Sequence, residues 1–171
     1  MLAARAVLLS SQAMALKLVI ITAAQKGANR SALDWAIKSE LPHGGWCPLG
    51  GLKEDDTVLP YKLKETPTEN VLESVEFNVR DSDATVVFTL APKAAGAAQK
   101  AVTYAKKQKK PVIHLHRGIL GVSEKLVAFL DKYYARRLHV TGSLEADEAG
   151  ISAWITAELE KAKVILERRP D

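Results

Sequence analysis

Apolar and polar positions along this chain follow two rhythms, a strand-like run and a helix-like stripe, and the two succeed one another from end to end. Lys17–Thr22 is a β-branched apolar run, Leu18-Val19-Ile20-Ile21, that ends in the small-residue turn Ala23 to Gly27. A helical pattern follows over Arg30 to Glu40, with Leu33, Ala36, Ile37 and Leu41 on one face. Thr66-Pro67-Thr68-Glu69 predicts the next helix start, with Thr66 as N-cap, Pro67 in the first turn and Glu69 closing a capping box. That helix carries Val71, Leu72, Val75 and Val79. Ala84 to Leu90 is almost continuously apolar, as in a strand buried on both faces. Then come a helix over Ala97–Lys109, a strand over Pro111–Leu115, a helix over Ser123–Tyr134 and a strand over Leu138–Val140. A last helix, Ile151–Glu167, shows a stripe of Ile151, Trp154, Ile155, Ala162 and Ile165. Such alternation predicts an α/β fold with a doubly wound, mainly parallel sheet of about five strands.

The 171 residues suit one domain with a substantial core, and no repeat or low-complexity linker divides them. Residues 17–167 are assigned to that domain, and 1–16 to an N-terminal extension outside the fold. Ala13-Met14-Ala15 resembles a signal-peptidase site, but Ser10, Ser11 and Gln12 break the preceding apolar stretch, and Met14 is itself a natural start. No stretch reaches the length of a membrane span. A net charge of +4 favours a small anionic ligand, while few aromatics and no long basic run argue against nucleic acid. Lys106-Lys107-Gln108-Lys109-Lys110 closes a helix, where cations complement the dipole. The single cysteine, Cys47, permits no internal disulfide and fits a reducing, cytoplasmic setting.

Ligands of parallel sheets bind beyond the carboxyl ends of the strands. Four loops fall there. The first, Thr22-Ala23-Ala24-Gln25-Lys26-Gly27 running on to Arg30, joins a strand directly to a helix, the geometry that presents free backbone N–H groups to an anion. It matches neither the Walker nor the dinucleotide fingerprint, and a plain tight turn explains it equally well. The second, Leu41 to Pro48, holds Trp46 and Cys47 and leads to Gly50, Gly51, Lys53 and the acids Glu54, Asp55 and Asp56. The third is Ala91 to Ala97, with Lys93 and Gly96; the fourth holds His114, His116 and Arg117. The first and third turns are expected at adjacent strands, facing each other across an anionic ligand. Asn78 to Asp83 is expected at the opposite sheet edge unless its helix folds back.

Each candidate has a plainer alternative. Cys47 reads first as a buried small hydrophobe, with thiolate contact to a metal as the alternative. His43, His114 and His116 lack zinc-site spacing. The acidic run suits a solvated loop better than Mg²⁺. Trp46 fits stacking on a ring or packing at the sheet end. Arg30 and Arg80 fit ligand contact or local ion pairs.

Three strings taken together, Pro42-His-Gly-Gly-Trp-Cys-Pro48, Asn78-Val-Arg-Asp-Ser-Asp-Ala-Thr85 and the first loop, resemble the molybdenum cofactor carrier proteins. These are Rossmann-like proteins of the circularly permuted SLOG group, related to lysine-decarboxylase-like nucleotide-binding proteins. The resemblance spans about Leu18 to Leu166. It implies non-catalytic binding, storage or protection of molybdenum cofactor or a related phosphorylated pterin. It also implies a homo-oligomer, often a tetramer, with molybdoenzymes as possible partners. The implied ligand-binding residues are Thr22, Ala23, Ala24, Gln25, Lys26, Gly27, Arg30, Trp46, Lys53, Asn78, Arg80, Gly96 and Ala97.

The phosphate loops depart from the family pattern. Gly-Gly-Gln-Thr-Gly stands here as Ala23-Ala24-Gln25-Lys26-Gly27, and Gly-Gly-Thr as Ala95-Gly96-Ala97. Gly51 and Leu52 replace a basic pair. Lys26 offers a point charge where the family has a hydroxyl. A phosphoribohydrolase-like enzyme, the alternative within the superfamily, needs a glutamate soon after the second glycine loop, and Gln99 to Tyr104 contain no carboxylate. A degenerate scaffold without a ligand is the third reading.

Overall fold

Residues 16–169 are described by a computed structural model. The apolar run at the start forms β1 (Val19–Ile21), and the turn after it opens α1 (Ala28–Lys38). The Gly-Trp-Cys segment gives two short strands, β2 (His43–Gly44) and β3 (Trp46–Cys47); β4 (Lys53–Glu54), β5 (Thr57–Val58) and β6 (Lys64–Glu65) follow. The remaining chain alternates as α2 (Val71–Arg80), β7 (Ala84–Thr89), α3 (Gly96–Lys107), β8 (Val112–His116), α4 (Val122–Tyr133), β9 (Arg137–Gly142) and α5 (Ile151–Glu167). Five strands make one sheet in the order β2-β1-β9-β7-β8, every pairing parallel. β3 pairs with β6, and β4 with β5 as a small hairpin, both outside that sheet.

Strand periodicity divides the core into two layers. Ile20, Val86, Phe88, Leu138 and Val140 face one side, where α1, α4 and α5 cover them with Ala32, Leu126, Ile151, Ile155 and Leu159 among the buried residues. Thr85, Val87, His139 and Thr141 alternate with these and face α2 and α3, where a smaller cluster joins Val75, Val87, Ala98 and Ala101. β7 is buried at every position, which explains its uninterrupted apolar run.

Several expectations are corrected. α2 starts at Val71, four residues beyond Pro67, with Asn70 as N-cap accepting from Leu72 N–H at 3.0 Å. Thr66 is held extended because its N–H pairs with the Cys47 carbonyl at 2.8 Å, continuing the β3–β6 ladder. Ile37 is 45% exposed; the buried face of α1 is taken by Trp35, whose indole N–H donates to Glu160 at 2.9 Å. β9 lies between β1 and β7, so the two glycine-bearing turns are not on adjacent strands. Residues 1–15 of the expected extension lie outside the described residues; Leu16, its last residue, is buried in the main core. Among the described residues no helix is long and apolar enough to cross a membrane.

Candidate ligand-binding cleft

The chain runs outward from β1 to β2, then crosses to β7 and β8 before β9 returns to the centre, so strand order switches at the middle of the sheet. A cleft of about 590 Å³ opens there, beneath α2 and α3 and beside the turn before α1. That is the location and size expected of a small-molecule site in an open parallel sheet. Ala23, Gln25, Asn78, Gly96 and Ala97 line it, from five of the expected positions. Asn78 is therefore not at the opposite edge: α2 folds back and carries it to the carboxyl side of the sheet.

The first turn is built differently from an open phosphate loop. Thr22 anchors it by donating its hydroxyl to the Val140 carbonyl at 2.6 Å. The segment after β9 then crosses the start of α1: Ala28 N–H donates to Ser143 O at 3.0 Å and Glu145 N–H to Lys26 O at 3.1 Å. Arg30 N–H turns back to Gln25 O, and Ser31 N–H to Gly27 O. Most of the helix-start donors expected to face an anion thus bond to the protein itself. Gly27 explains itself here, since at φ +132 a Cβ would lie 2.5 Å from Ser143 O. Its missing side chain admits backbone, not ligand.

The expected basic groups are engaged elsewhere. Lys26 and Arg30 both pair with Glu54 at 2.8 Å, and Arg30 Nε donates to Ala24 O at 2.9 Å, bracing the turn. Those contacts hold the Glu54 carboxyl below its ordinary pKa. Neither cation lines the cleft, and Lys53 is exposed on the β4 hairpin. Trp46 donates its indole N–H to Asp81 at 2.7 Å, while Arg80 forks onto the same carboxylate and lies over the Phe77 ring. Arg80, with help from the Trp46 indole, holds Asp81 down to about 2. Asn78 grips the Trp46 backbone at both ends, accepting from its N–H at 2.7 Å and donating to its carbonyl at 2.9 Å. Trp46 and Arg80 are structural in this arrangement, and neither reaches the cleft.

The start of α3 is the opposite case. Ala95 caps it without a side-chain bond, and the N–H groups of Gly96, Ala97 and Ala98 have no partner among the described residues. Gly96 sits at φ +56 with nothing within 4 Å of where a Cβ would be. Lys93 also lines this mouth. Three bare N–H groups at the positive end of a helix dipole form an anion-receptive corner.

Sequence reasoning missed the part of the lining that comes from β9 and the loop beyond it, which includes His139, Thr141, Asp147 and Glu148. Only the sheet order brings them there. Glu148 accepts from Leu90 N–H at 3.0 Å, Ala91 N–H at 2.7 Å and the Ser143 hydroxyl. Burial works to raise its pKa, and these three donors outweigh burial and hold it low. It is an ionised anchor for the β7 turn, poorly suited to giving up a proton. Cys47 is buried outside the cleft, and burial, with Glu65 nearby, raises its thiol to about 11. Among the described residues no three His, Cys, Asp or Glu side chains gather as a metal-holding group.

A doubly wound parallel sheet with a cleft at its central switch defines a Rossmann-like α/β protein. The chain matches the circularly permutated YpsA SLOG family over residues 20–163 and belongs to it. It is also similar to a solved structure from Syntrophus aciditrophicus SB, described as a "Putative molybdenum carrier protein". The two share 29% identity at a TM-score of 0.77, over 84% of this chain and 93% of that one. No curated protein matches the chain.

Proposed function

We propose that the protein binds molybdenum cofactor or a related phosphorylated pterin without transforming it, and holds it in the cleft between β9, α2 and α3. The observation that carries this reading is the uncapped start of α3, where three unpartnered N–H groups and Lys93 face the open space at Gly96. A terminal phosphate suits that corner, and a cleft of about 590 Å³ has room for the organic part behind it. The likeness to a named carrier supports the choice of ligand class. The residues present fit the phosphate and pterin portions. The bound metal with its dithiolene would supply the cofactor's redox chemistry, and this chain offers no cleft thiolate to take it over. Its part is to orient the phosphate and shield the ring from water. Assembly as a homo-oligomer, with delivery to molybdoenzymes, belongs to the same reading.

Native mass spectrometry of freshly purified protein tests it, since it reports a retained pterin and the subunit number together. In calorimetry, Ala97→Asp places a carboxylate beside the bare N–H groups and is expected to weaken a phosphorylated pterin by at least about tenfold. Its affinity for the unphosphorylated pterin should stay near wild type. Equal losses for both would remove α3 as the phosphate site.

A further inference from the structure

Most polar side chains in the cleft are matched by the protein's own atoms. Asn29 donates to Gln25 and lies 3.1 Å from the Thr22 hydroxyl, Ser74 donates to Val71 O, and both ends of the Asn78 amide hold Trp46. His139 and Thr141 break that pattern. They are 1% and 3% exposed, and lie two residues apart on the cleft-facing side of β9. His139 Nδ1 is 3.2 Å from Thr85 Oγ1, while His139 Nε2 and Thr141 Oγ1 have no partner among the described residues. Neither atom is sealed in, because among the described residues no fully enclosed side-chain N or O lacks a partner. What surface they keep faces the cleft they line.

The hydrogen positions follow. Thr85 is fully buried, and its hydroxyl has no acceptor other than Nδ1 among the described residues, so its proton points there. A neutral imidazole that accepts at Nδ1 carries its own hydrogen at Nε2. The cleft floor therefore presents an N–H donor. About 7 Å along the strand it presents a hydroxyl able to donate or accept.

We propose that His139 and Thr141 form a subsite for the polar edge of a planar heteroaromatic ring. His139 Nε2–H donates to a ring nitrogen or carbonyl oxygen, and Thr141 Oγ1 bonds the neighbouring polar group. This deepens the pterin reading and rests on it. Val71, Val75 and Ala98 wall the same space and suit the ring's apolar faces. An inorganic anion gains little from one neutral donor at the floor. A metal ion finds no lone pair at a protonated Nε2.

The test uses pterin fluorescence with 6-hydroxymethylpterin and its monophosphate as probes, on wild type, His139→Leu, His139→Gln and Thr141→Val. His139→Leu and Thr141→Val are expected to weaken both pterins by about tenfold, the loss of one hydrogen bond in a desolvated site. His139→Gln keeps a donor and should retain most of the affinity. The Nε2–H resonance of His139 should shift with 6-hydroxymethylpterin and stay fixed with inorganic phosphate. If His139→Leu does not fold, the resonance and Thr141→Val decide alone. Wild-type binding that all three variants share, with a static resonance, means that ordered water satisfies both groups; the subsite is then overturned and the carrier reading stands. Wild type that binds neither pterin overturns both.

Discussion

Burial beneath two helices takes the His139 imidazole down to about 3, far below its ordinary value near 6.5. In the unfolded chain that ring takes up a proton as pH falls through 6.5, whereas the folded protein leaves it neutral until about pH 3. Acid therefore favours the unfolded state across this window. The expected slope is about 1.4 kcal/mol per pH unit for one proton. Urea denaturation at pH 7, 6 and 5 should show stability falling, and His139→Gln should flatten the fall. At the same scale, Lys26 is an exposed partner of Glu54 and faces away from the cleft. Lys26→Ala should change affinity for pterin monophosphate by less than about twofold, as for other exposed ion pairs. A tenfold loss in calorimetry would put Lys26 back in the site.

The two glycine-bearing turns look alike as elements and serve different ends. Gly27 lets the loop after β9 lie against the start of α1, so Gly27→Ala drives a methyl group into Ser143 O. Its expected cost is about 3 kcal/mol or more in chemical denaturation, because strain and displaced backbone combine. Gly96 has the positive φ without the contact, and Gly96→Ala should cost only about 1 kcal/mol, the penalty of a left-handed residue in open space. Similar costs would mean that the two turns share one role. α2 works through Asn78, which pairs with Trp46 as a neighbouring strand would. Asn78→Ala leaves that N–H and carbonyl without partners, at about 1–3 kcal/mol.

At the scale of the molecule, the main core lies under α1, α4 and α5, and the thinner α2–α3 layer leaves room for the cleft. Small residues, Ala97, Ala98 and Ser74, keep that layer open. Light scattering is expected to give a multiple of the 18.6 kDa subunit mass; a clean monomer at high micromolar concentration would remove the homo-oligomer from the proposal. Among the described residues the large exposed apolar side chains are Ile37, Leu49, Val58, Leu120, Tyr133 and Tyr134.

The strand and helix order was legible in the chain because apolar periodicity is local: Ala84–Leu90 reads as a doubly covered strand from seven residues alone, and Ile151–Glu167 agrees with α5 at both ends. The family was legible too, through strings whose residues are fixed by close contacts such as Asn78 on Trp46. The site was legible only in part. A sequence shows that Lys26 and Arg30 are charged, and cannot show that one carboxylate, Glu54, stands within 3 Å of both. Nor does it place β9 between β1 and β7, the step that carries His139, Thr141 and Glu148 into the cleft and closes the first turn with Ser143. The contacts of β9 and the loop beyond it with β7 and the first turn join residues more than fifty positions apart, and only the packing of the sheet decides which of them meet.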